Sequence, residues 1–594
     1  MPPNNNMRPP VKLKNVKATL LRLGSYLVAQ RGLFIISIIA IVLATASQLI
    51  GPLLLAQAID DYLIPVRLDG LAYLVILMVF VQLFSALFYW LQDYLTSIAA
   101  TRIGKKMRQE LFEHLQRLPL KFFDKHPFGE VMSRLTNDIT AISQSLSDSL
   151  ASLLGSSLSA LGSLIFMFYL SPIFASVTIL IIPLTVLSSG WIVKKSGRYF
   201  LQQAKDLGAL NAYIEEIISG QKTVKVFTQE EVVSETFAEK NNLLKQSGFK
   251  AQLLSGLVPV IMGALTNANF VVLAFLGGYL AVLGKITVGI LTSFIQYSNA
   301  FTRPLAQMAN QINAIQQALA GAERVFEILD EKPEEDVPEA KALTTSVGRV
   351  EFKNVGFSYD GKTKVLQNIN FTAEAGKTIA LVGATGSGKT TIINLLQRFY
   401  TPTGGQILID SQDIAQASLQ SVRQGFAAVL QDTRLFADSV KENIRFGRLD
   451  ASDAEVKKAA ELAHADQFIR LLPHIYNTKL SADGASLSAG QRQLLAIARA
   501  ILADPDILIF DEATANIDTL TEKHIQRGMR NLKKNRTTFL IAHRLSTVRE
   551  ADLILVIKGG QIVEQGNHQE LLKQDGLYAS LYNSQAGGDF DLLE

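Results

Sequence analysis

The sequence predicts a chain of two dissimilar parts: an all-α membrane domain with six transmembrane helices, followed by an α/β domain of the P-loop type. The chain has 594 residues, which is more than one hydrophobic core accommodates. Long uncharged apolar runs are concentrated in residues 33–308, and a glycine-rich pattern follows at residues 383–390. The mean hydropathy of +0.22 is high for a soluble protein of this length. The predicted organisation is an N-terminal arm (1–32), a membrane domain (33–325), a linker (326–345) and a soluble domain (346–594).

The membrane domain is defined by apolar runs, each close to the ~20 residues that cross a bilayer. These runs lie near 33–55, 71–90, 150–170, 173–193, 253–283 and 286–308. A large soluble core also contains buried helices, but it does not need six runs of this length. We therefore predict six spans.

Lys and Arg are distributed unevenly around the predicted spans. The arm and the connections after the second and fourth spans are rich in them, whereas the opposite loops contain only Arg67 and Lys285. By the positive-inside rule, both termini and the soluble domain are expected in the cytoplasm, with the spans in the cell membrane. The net charge of +4 therefore indicates juxtamembrane basic residues and no nucleic-acid partner. The chain has no cysteine, which excludes disulfides and fits either a reducing compartment or an engineered Cys-less chain.

The two inner connections, residues 91–149 and 194–252, are long and periodic, so we expect helices that continue the spans into the cytoplasm. Each contains a break suited to a short crossing helix, at 122–130 and around 219–224. Such a helix is placed to dock into a soluble domain and transmit force. An ordinary corner between two helices fits the same spacing.

The soluble domain is organised around Gly383-Ala384-Thr385-Gly386-Ser387-Gly388-Lys389-Thr390. An apolar strand at 378–382 precedes this stretch, and a helical run at 391–396 follows it. Glycines in this pattern let backbone N–H groups surround a polyphosphate at a helix N-terminus. Lys389 is then placed to reach the β- and γ-phosphates, and the Thr390 hydroxyl to ligate Mg²⁺.

Several polar residues end apolar runs after this loop. Asp511 ends the run 507–510, where a carboxylate meets the Mg²⁺ sphere, and Glu512 is placed to polarise an attacking water. Gln431 is placed to bring an amide near the Mg²⁺ or the water, and His543 to contact the γ-phosphate. Each would be an unremarkable strand end if it stood alone, but the preceding P-loop favours the functional interpretation.

Two further positions carry weaker signals. Tyr359 ends a strand-like run and either stacks on a purine ring or packs as an edge aromatic, and the sequence leaves both open. Ser488 and the small residues after it stand at the start of a helical run, which is typical of an anion-binding helix N-terminus.

These motifs, in this order and after six spans, resemble those of the ATP-binding-cassette (ABC) exporters over nearly the whole chain. The resemblance implies an ATP hydrolase coupled to transport, with ATP and Mg²⁺ as its cofactors. It also implies roles for single positions: Tyr359 as the A-loop, Gly383 to Thr391 as Walker A, Gln431 as the Q-loop, Ser488, Ala489, Gly490 and Gln491 within the signature loop, Asp511 as Walker B, Glu512 as the catalytic carboxylate, Asp518 as the D-loop, His543 as the switch histidine, and 122–130 and 220–227 as coupling helices.

In that family two cassettes enclose two ATP molecules, so a chain with one cassette implies a dimer. Ala489 stands where a glycine is usual, Ala482 where many members have glutamate, and the D-loop at 515–518 departs from the common form. The Walker face is complete. This combination favours the consensus-Walker subunit of a heterodimeric bacterial multidrug exporter, whose partner has a degenerate Walker B site. A homodimer is the alternative, because alanine adds one methyl and is harmless at negative φ.

The expected cargo is a hydrophobic or amphipathic compound, with membrane lipids as the surroundings. Polar side chains at membrane depth tend to face the interior of a helix bundle. The candidate cavity residues are Phe84, Phe88, Asn267, Gln296, Tyr297 and Asn299. For any single aromatic among them, packing between helices or contact with lipid is the favoured alternative. A lipid or peptide exporter would share every motif, and an ATP-gated channel would share the spans and the cassette.

Overall fold

The structure is a computed structural model that describes residues 15–67, 69–344, 347–430, 433–481, 484, 486–511, 519–541 and 548–586. The chain divides into two compact units. The first comprises Met1–Arg117 and His126–Lys332, and the second comprises Leu118–Lys125 and Pro333–Glu594.

The described part of the first unit is helical. Its helices are α1 (Val16–Ala29), α2 (Arg31–Gln57), α3 (Leu71–Leu115), α5 (Phe128–Ser133), α6 (Ile139–Gln144), α7 (Leu150–Leu170), α8 (Pro172–Ser219), α9 (Gln221–Val226), α10 (Glu230–Val282) and α11 (Val288–Leu329), with π-helical segments at Ala58–Leu63, Arg134–Asp138 and Ser145–Ser149.

Each of the six predicted spans falls in one long helix, α2, α3, α7, α8, α10 or α11, although the span 253–283 ends one residue beyond α10 and the span 286–308 begins two residues before α11. Within the described residues, four continuous helical stretches are long and apolar enough to cross a membrane: Arg31–Leu63, Leu71–Leu115, Phe128–Leu170 and Glu230–Val282. Helices α8, α10 and α11 contain 48, 53 and 42 residues. At about 1.5 Å per residue they are roughly 60–80 Å long, well beyond a hydrocarbon core of about 30 Å.

The apolar core of this unit includes Phe174, Phe294 and Tyr297, which are completely buried. Helix α11 is attached to α2 and to the π-helical segment Ala58–Leu63 by hydrogen bonds from three residues spaced four positions apart. Tyr297 Oη donates to the backbone carbonyl of Leu49, Ser293 Oγ to that of Pro52, and Gly289 N to Asp60 Oδ1 at 2.8 Å. A four-residue spacing places these donors on one face of α11.

The second unit contains two sheets in its described residues. The first has the order β2-β1-β4-β5 and is antiparallel, with β1 (Val350–Phe357), β2 (Leu366–Ala373), β4 (Gly404–Ile409) and β5 (Gln412–Asp413). The second has the order β10-β9-β3-β8-β7-β6, with β3 (Thr378–Val382), β6 (Phe426–Val429), β7 (Ile507–Asp511), β8 (Thr537–Ile541), β9 (Leu553–Lys558) and β10 (Gln561–Gly566). Its strands are parallel except at the β9–β10 pair. The central strands β3 and β8 are buried on both faces, which explains their continuous apolar sequence.

The helices of the second unit are α4 (Leu120–Lys125), α12 (Lys389–Leu396), α13 (Leu419–Gln424), α14 (Val440–Arg445), α15 (Asp453–Leu462), α16 (Asp466–Ile469), α17 (Ala489–Ala503), α18 (Thr519–Lys533), α19 (His568–Lys573) and α20 (Leu577–Ala586). Three of them begin with a complete capping box, formed by Ser452 at α15, by Ser488 at α17 and by Asn567 at α19. The local sequence therefore defines where these helices start.

The segment expected as a linker, 326–345, divides into two parts. Its first residues continue α11 to Leu329. Beyond Pro333 the chain packs on the second unit, where Arg423 donates to both oxygens of Glu334 at 2.9 and 2.7 Å. Ser418 N donates to the Lys341 carbonyl at 2.9 Å, and Leu343 is buried in the apolar core. The acidic residues of this segment thus pair with a basic surface of the second unit.

Candidate nucleotide site and transport cavity

The glycine-rich loop joins β3 to α12, as the sequence predicts. Gly386 and Gly388 have φ values of +79° and +109°, which side chains rarely tolerate. A Cβ atom on Gly388 would also lie 2.6 Å from Leu366 Cδ2. Glycine is therefore required at both positions for the loop to curl around the start of α12.

Lys389 lies inside this loop and is buried. Its Nζ donates to the carbonyls of Gly383 at 2.7 Å and Ala384 at 2.9 Å. Burial lowers the pKa of Lys389, and the negative charge of Asp511 opposes that shift. Ser387 Oγ is also buried and has no hydrogen-bond partner within the described residues. A desolvated cation and an unused hydroxyl in a loop of this shape fit a polyphosphate such as that of ATP.

The strand ends beside the loop lie at one edge of the parallel sheet. Leu381 of β3 is in register with Ile541 of β8, which is in register with Asp511 of β7. Val429 of β6 pairs with Phe510, one residue before Asp511. The loop, Asp511 and the ends of β6 and β8 therefore share the edge where parallel sheets bind ligands.

Thr390 is exposed in the first turn of α12, and Asp511 is half-buried at the end of β7. Hydroxyl and carboxylate oxygens are the ligands that Mg²⁺ prefers, so these two residues would hold the ion that accompanies ATP. The other residues predicted for this chemistry, Gln431, Glu512, Asp518 and His543, lie outside the described residues.

Tyr359 packs edge-on against Phe357 and Tyr400, with ring centroids 4.7 and 4.9 Å apart. Its hydroxyl is 3.1 Å from Thr391 Oγ1, and 37% of its surface is exposed. The sequence left open whether this ring packs as an edge aromatic or stacks on a purine. The ring does pack against other aromatics, and it is also partly exposed beside the glycine-rich loop. The stacking role implied by the resemblance stays a prediction.

Tyr400 extends this aromatic group to the short helix α4. Its hydroxyl donates to Asp124 Oδ2 of α4, and Leu120 of α4 packs against the core of the same unit. Burial raises the pKa of Tyr400, and the Asp124 carboxylate raises it further. The hydroxyl therefore stays a donor, and a continuous path of contacts joins α4 to Tyr359 and Thr391. Sequence reasoning missed Tyr400, because one aromatic after a helix is not a specific signal.

Ser488 is the N-cap of α17. Its Oγ accepts from Gln491 N at 3.2 Å, and its own N–H donates to Gln491 Oε1 at 3.0 Å. Gly490 is buried, whereas Ser488 and Ala489 are exposed at the helix start. Ala489 is helical and is absent from the positive-φ residues, so its methyl group creates no backbone strain. The departure from glycine at this position is therefore compatible with either dimer. Ala482 lies outside the described residues.

The first unit contains a cavity of about 1160 Å³ between α2, α3, α7 and α11. Two of the predicted cavity residues, Gln296 and Asn299, line it. The other four do not line it. Tyr297 is buried between helices, and Asn267 is exposed on α10. Phe84 and Phe88 pack against each other on α3, with ring centroids 4.5 Å apart.

The described cavity wall is polar. Its amide side chains are Gln48, Gln82, Gln92, Gln296, Asn299 and Gln311, its charged side chains are Asp93, Asp148 and Arg303, and Tyr89 supplies an aromatic ring. Tyr89 donates to Gln48 Oε1 at 2.7 Å, and Gln311 Nε2 to Ser152 Oγ at 3.5 Å. Sequence reasoning missed Arg303, although a charged residue inside a predicted span was a visible signal.

Comparison with known proteins identifies both parts of the chain. Residues 34–305 match the ABC transporter transmembrane region, and residues 366–515 match the ABC transporter family. The chain is 45% identical over 575 residues to the uncharacterized ABC transporter ATP-binding protein YfiC of Bacillus subtilis (strain 168), covering 97% of this chain and 95% of the relative.

A second relative is the fatty acid ABC transporter ATP-binding/permease protein of Mycobacterium tuberculosis (strain CDC 1551 / Oshkosh). It is 45% identical over 494 residues, which cover 83% of this chain and 78% of the relative. Among solved structures, a bacterial Atm1-family ABC exporter with ATP bound superimposes with a TM-score of 0.75 at 32% identity. That comparison covers 94% of this chain and 98% of the other.

Proposed function

This chain belongs to the ABC exporters, with the transmembrane region and the ATP-binding cassette in one polypeptide, and we propose that it exports amphipathic compounds across the cell membrane. The observation that carries the proposal is that one chain holds both a phosphate-binding loop with a buried lysine and a large polar cavity in its membrane unit. ATP hydrolysis drives transport in this family, and the cavity supplies a place for the cargo. Efflux of several drugs, as the sequence favours, is one form of this activity.

The residues of the loop define how ATP would be held. Lys389 would exchange the carbonyls of Gly383 and Ala384 for phosphate oxygens, and Ser387 Oγ would gain a hydrogen-bond partner. The first change gives a buried cation an anionic partner and the second gives a buried hydroxyl its missing partner, so both favour the ATP-bound state. ATP with Mg²⁺ supplies the bond that is hydrolysed.

Coupling of hydrolysis to transport is proposed to pass through the short helices. Helix α4 is attached to the cassette through Leu120 and Asp124, and Tyr400 joins that attachment to the aromatic group beside the phosphate loop. The second predicted coupling segment, 220–227, contains helix α9, and the Phe227 side chain that follows this helix is 67% exposed. A shift at the nucleotide site would then move the helices that enclose the cavity, which is alternating access.

ABC exporters work as dimers, and the exposed N-terminus of α17 suits a site shared with a second chain. We propose that this second chain is a different half-transporter with a degenerate Walker B site, on the basis of Ala489 and Ala482. The helical conformation of Ala489 fits a second copy of this chain equally well. Mass measurement of the complex extracted in detergent separates the two, because an active complex of this chain alone would overturn the heterodimer.

The proposed function is tested by removing the buried cation. The full-length chain carrying Lys389→Ala, reconstituted in liposomes, is expected to lose ATPase activity and ATP-dependent movement of a fluorescent amphiphile. Lys457→Ala removes an exposed lysine of α15 and should retain both. Efflux that persists in Lys389→Ala, or ion conductance on addition of ATP without efflux, would overturn the proposal.

A further inference from the structure

Arg303 is a charged side chain of the cavity wall that lies inside a predicted span. It is 15 residues after the start of α11 at Val288, or about 22 Å along the helix at 1.5 Å per residue. Asp93 and Asp148, the other charged residues of the described wall, lie just beyond the ends of their spans at 71–90 and 150–170. Arg303 is therefore the cavity charge that is placed at membrane depth.

A guanidinium at membrane depth is costly unless it faces water or an anion. Arg303 is exposed, and within the described residues it makes no hydrogen bond or ion pair. Within the described part of this chain, the guanidinium is therefore free to bind an anionic group that enters the cavity.

The surroundings of Arg303 supply further hydrogen-bonding groups. Gln296 and Asn299 precede it by seven and four residues, which places all three on one face of α11. Pro304 has no backbone N–H, so the carbonyl of Ala300 loses its usual helical donor, and Ser159 Oγ reaches that carbonyl at 3.5 Å. The wall near the guanidinium thus combines amide donors with a locally opened helix.

We propose that Arg303 binds the oxyanion head group of an amphiphilic substrate, a carboxylate or a phosphate, with Gln296 and Asn299 completing the contact. This inference rests on the proposed function, because it takes the cavity as the transport site. Arginine suits the role because its planar guanidinium pairs with carboxylate and phosphate through two parallel hydrogen bonds.

The acidic residues of the wall do not neutralise this site. Asp93 is 22 residues after Leu71, or about 33 Å along α3, and within the described residues it forms no ion pair with Arg303. Its carboxylate accepts from Gln92 Nε2 at 2.9 Å. A cationic amphiphile would instead be drawn to Asp93 and Asp148, and this difference defines the experiment.

The test uses the full-length chain in lipid nanodiscs and four amphiphiles with the same alkyl chain: a carboxylate, a phosphate, an alcohol and an amine. The concentrations for half-maximal ATPase stimulation and the ligand-induced shifts in Tm are measured for the wild type, Arg303→Gln, Arg303→Lys and Arg102→Gln. Arg102 is an exposed arginine of α3 outside the cavity wall.

Arg303→Gln is expected to raise the half-maximal concentration at least about tenfold for one or both anionic amphiphiles and less than about twofold for the alcohol. Arg303→Lys should recover only part of the loss, because an ammonium keeps the charge but not the two parallel hydrogen bonds, and Arg102→Gln should resemble the wild type. The anionic ligand that responds assigns the head group as carboxylate or phosphate.

An equal effect of Arg303→Gln on anionic and neutral ligands, or a preference of the wild type for the amine, would overturn this inference and leave the proposed function intact. A wild type that hydrolyses ATP but neither responds to nor moves any of the four amphiphiles would overturn the proposed function itself. Tm values without ligand show whether a variant is folded. If Arg303→Gln does not fold, Arg303→Lys still tests the inference, because it keeps the charge and changes only the hydrogen-bonding geometry.

Discussion

The substitution Tyr400→Phe tests whether α4 is attached to the cassette by the bond that the structure shows. It removes the hydroxyl that donates to Asp124 Oδ2 and retains the ring that packs against Tyr359 at 4.9 Å. The aromatic contact beside the phosphate loop therefore remains. The perturbation is confined to the attachment of α4.

The expected magnitude follows from the type of bond and its exposure. A hydrogen bond to a charged group contributes about 1.5–3 kcal/mol when it is well shielded. Asp124 is exposed, so water compensates part of the loss, and we take the lower end of that range. About 1.4 kcal/mol corresponds to a tenfold change in the ratio of attached to detached α4.

Substrate-stimulated ATPase activity and transport by Tyr400→Phe should therefore fall by up to about tenfold, while ATP binding and basal hydrolysis persist. Burial raises the pKa of the tyrosine, so the bond is fully present below the unfolded value of about 10 and is lost only as the pH rises through the raised pKa. The effect should thus be constant between about pH 6 and 9.

Tyr476→Phe is the matched control. Tyr476 Oη donates to Asp466 Oδ1 at 2.7 Å in the same unit, and burial likewise raises its pKa. This bond has no connection with α4, so its loss should reduce stability without separating ATPase activity from transport. Equal behaviour of Tyr400→Phe and Tyr476→Phe in the transport assay would refute the coupling role of Tyr400.

Two further predictions use matched pairs of substitutions. Ser488→Ala and Ser452→Ala each remove a capping box and should lower the free energy of unfolding by about 1 kcal/mol. ATPase assays should show a larger loss of activity for Ser488→Ala, because only that serine belongs to the predicted signature loop. Equal activities of the two variants would contradict that role. Gly289→Ala places a Cβ atom 2.4 Å from the Ala56 carbonyl oxygen, so it should destabilise the protein by about 1–3 kcal/mol and lower its Tm in detergent. A Cβ atom on Gly278 meets no atom within 4 Å, so Gly278→Ala should have little effect. Equal Tm values of the two variants would refute the close approach of α2 and α11.

Much of the fold was predictable because the deciding interactions are local. Each of the six apolar runs lies in a long helix, and the strand, the glycine-rich loop and α12 follow one another as predicted. Ser488 begins α17 because an N-cap depends on residues within one helical turn. The phosphate-binding loop was equally clear, because Gly386 and Gly388 occupy conformations that glycine tolerates best.

The cavity was less predictable, because helical periodicity shows which residues share a face but not which neighbour that face meets. Gln296 and Tyr297 are adjacent on α11, yet the first lines the cavity and the second is completely buried. An aromatic side chain gains more from burial between helices than from facing a polar cavity. Tyr297 also places its hydroxyl on a backbone carbonyl of α2.

The sequence by itself determined the local chemistry of this protein: spans of membrane length, the phosphate-binding loop, and the polar residues that follow the strands of the cassette. The tertiary structure decided what meets across the chain. Asp124 and Tyr400 are 276 residues apart in sequence, and their hydrogen bond exists only because α4 packs on the second unit. The same holds for Arg303, whose place in the wall of the cavity depends on how α2, α3, α7 and α11 pack. Such contacts depend on packing between distant segments, and no local pattern of residues encodes them.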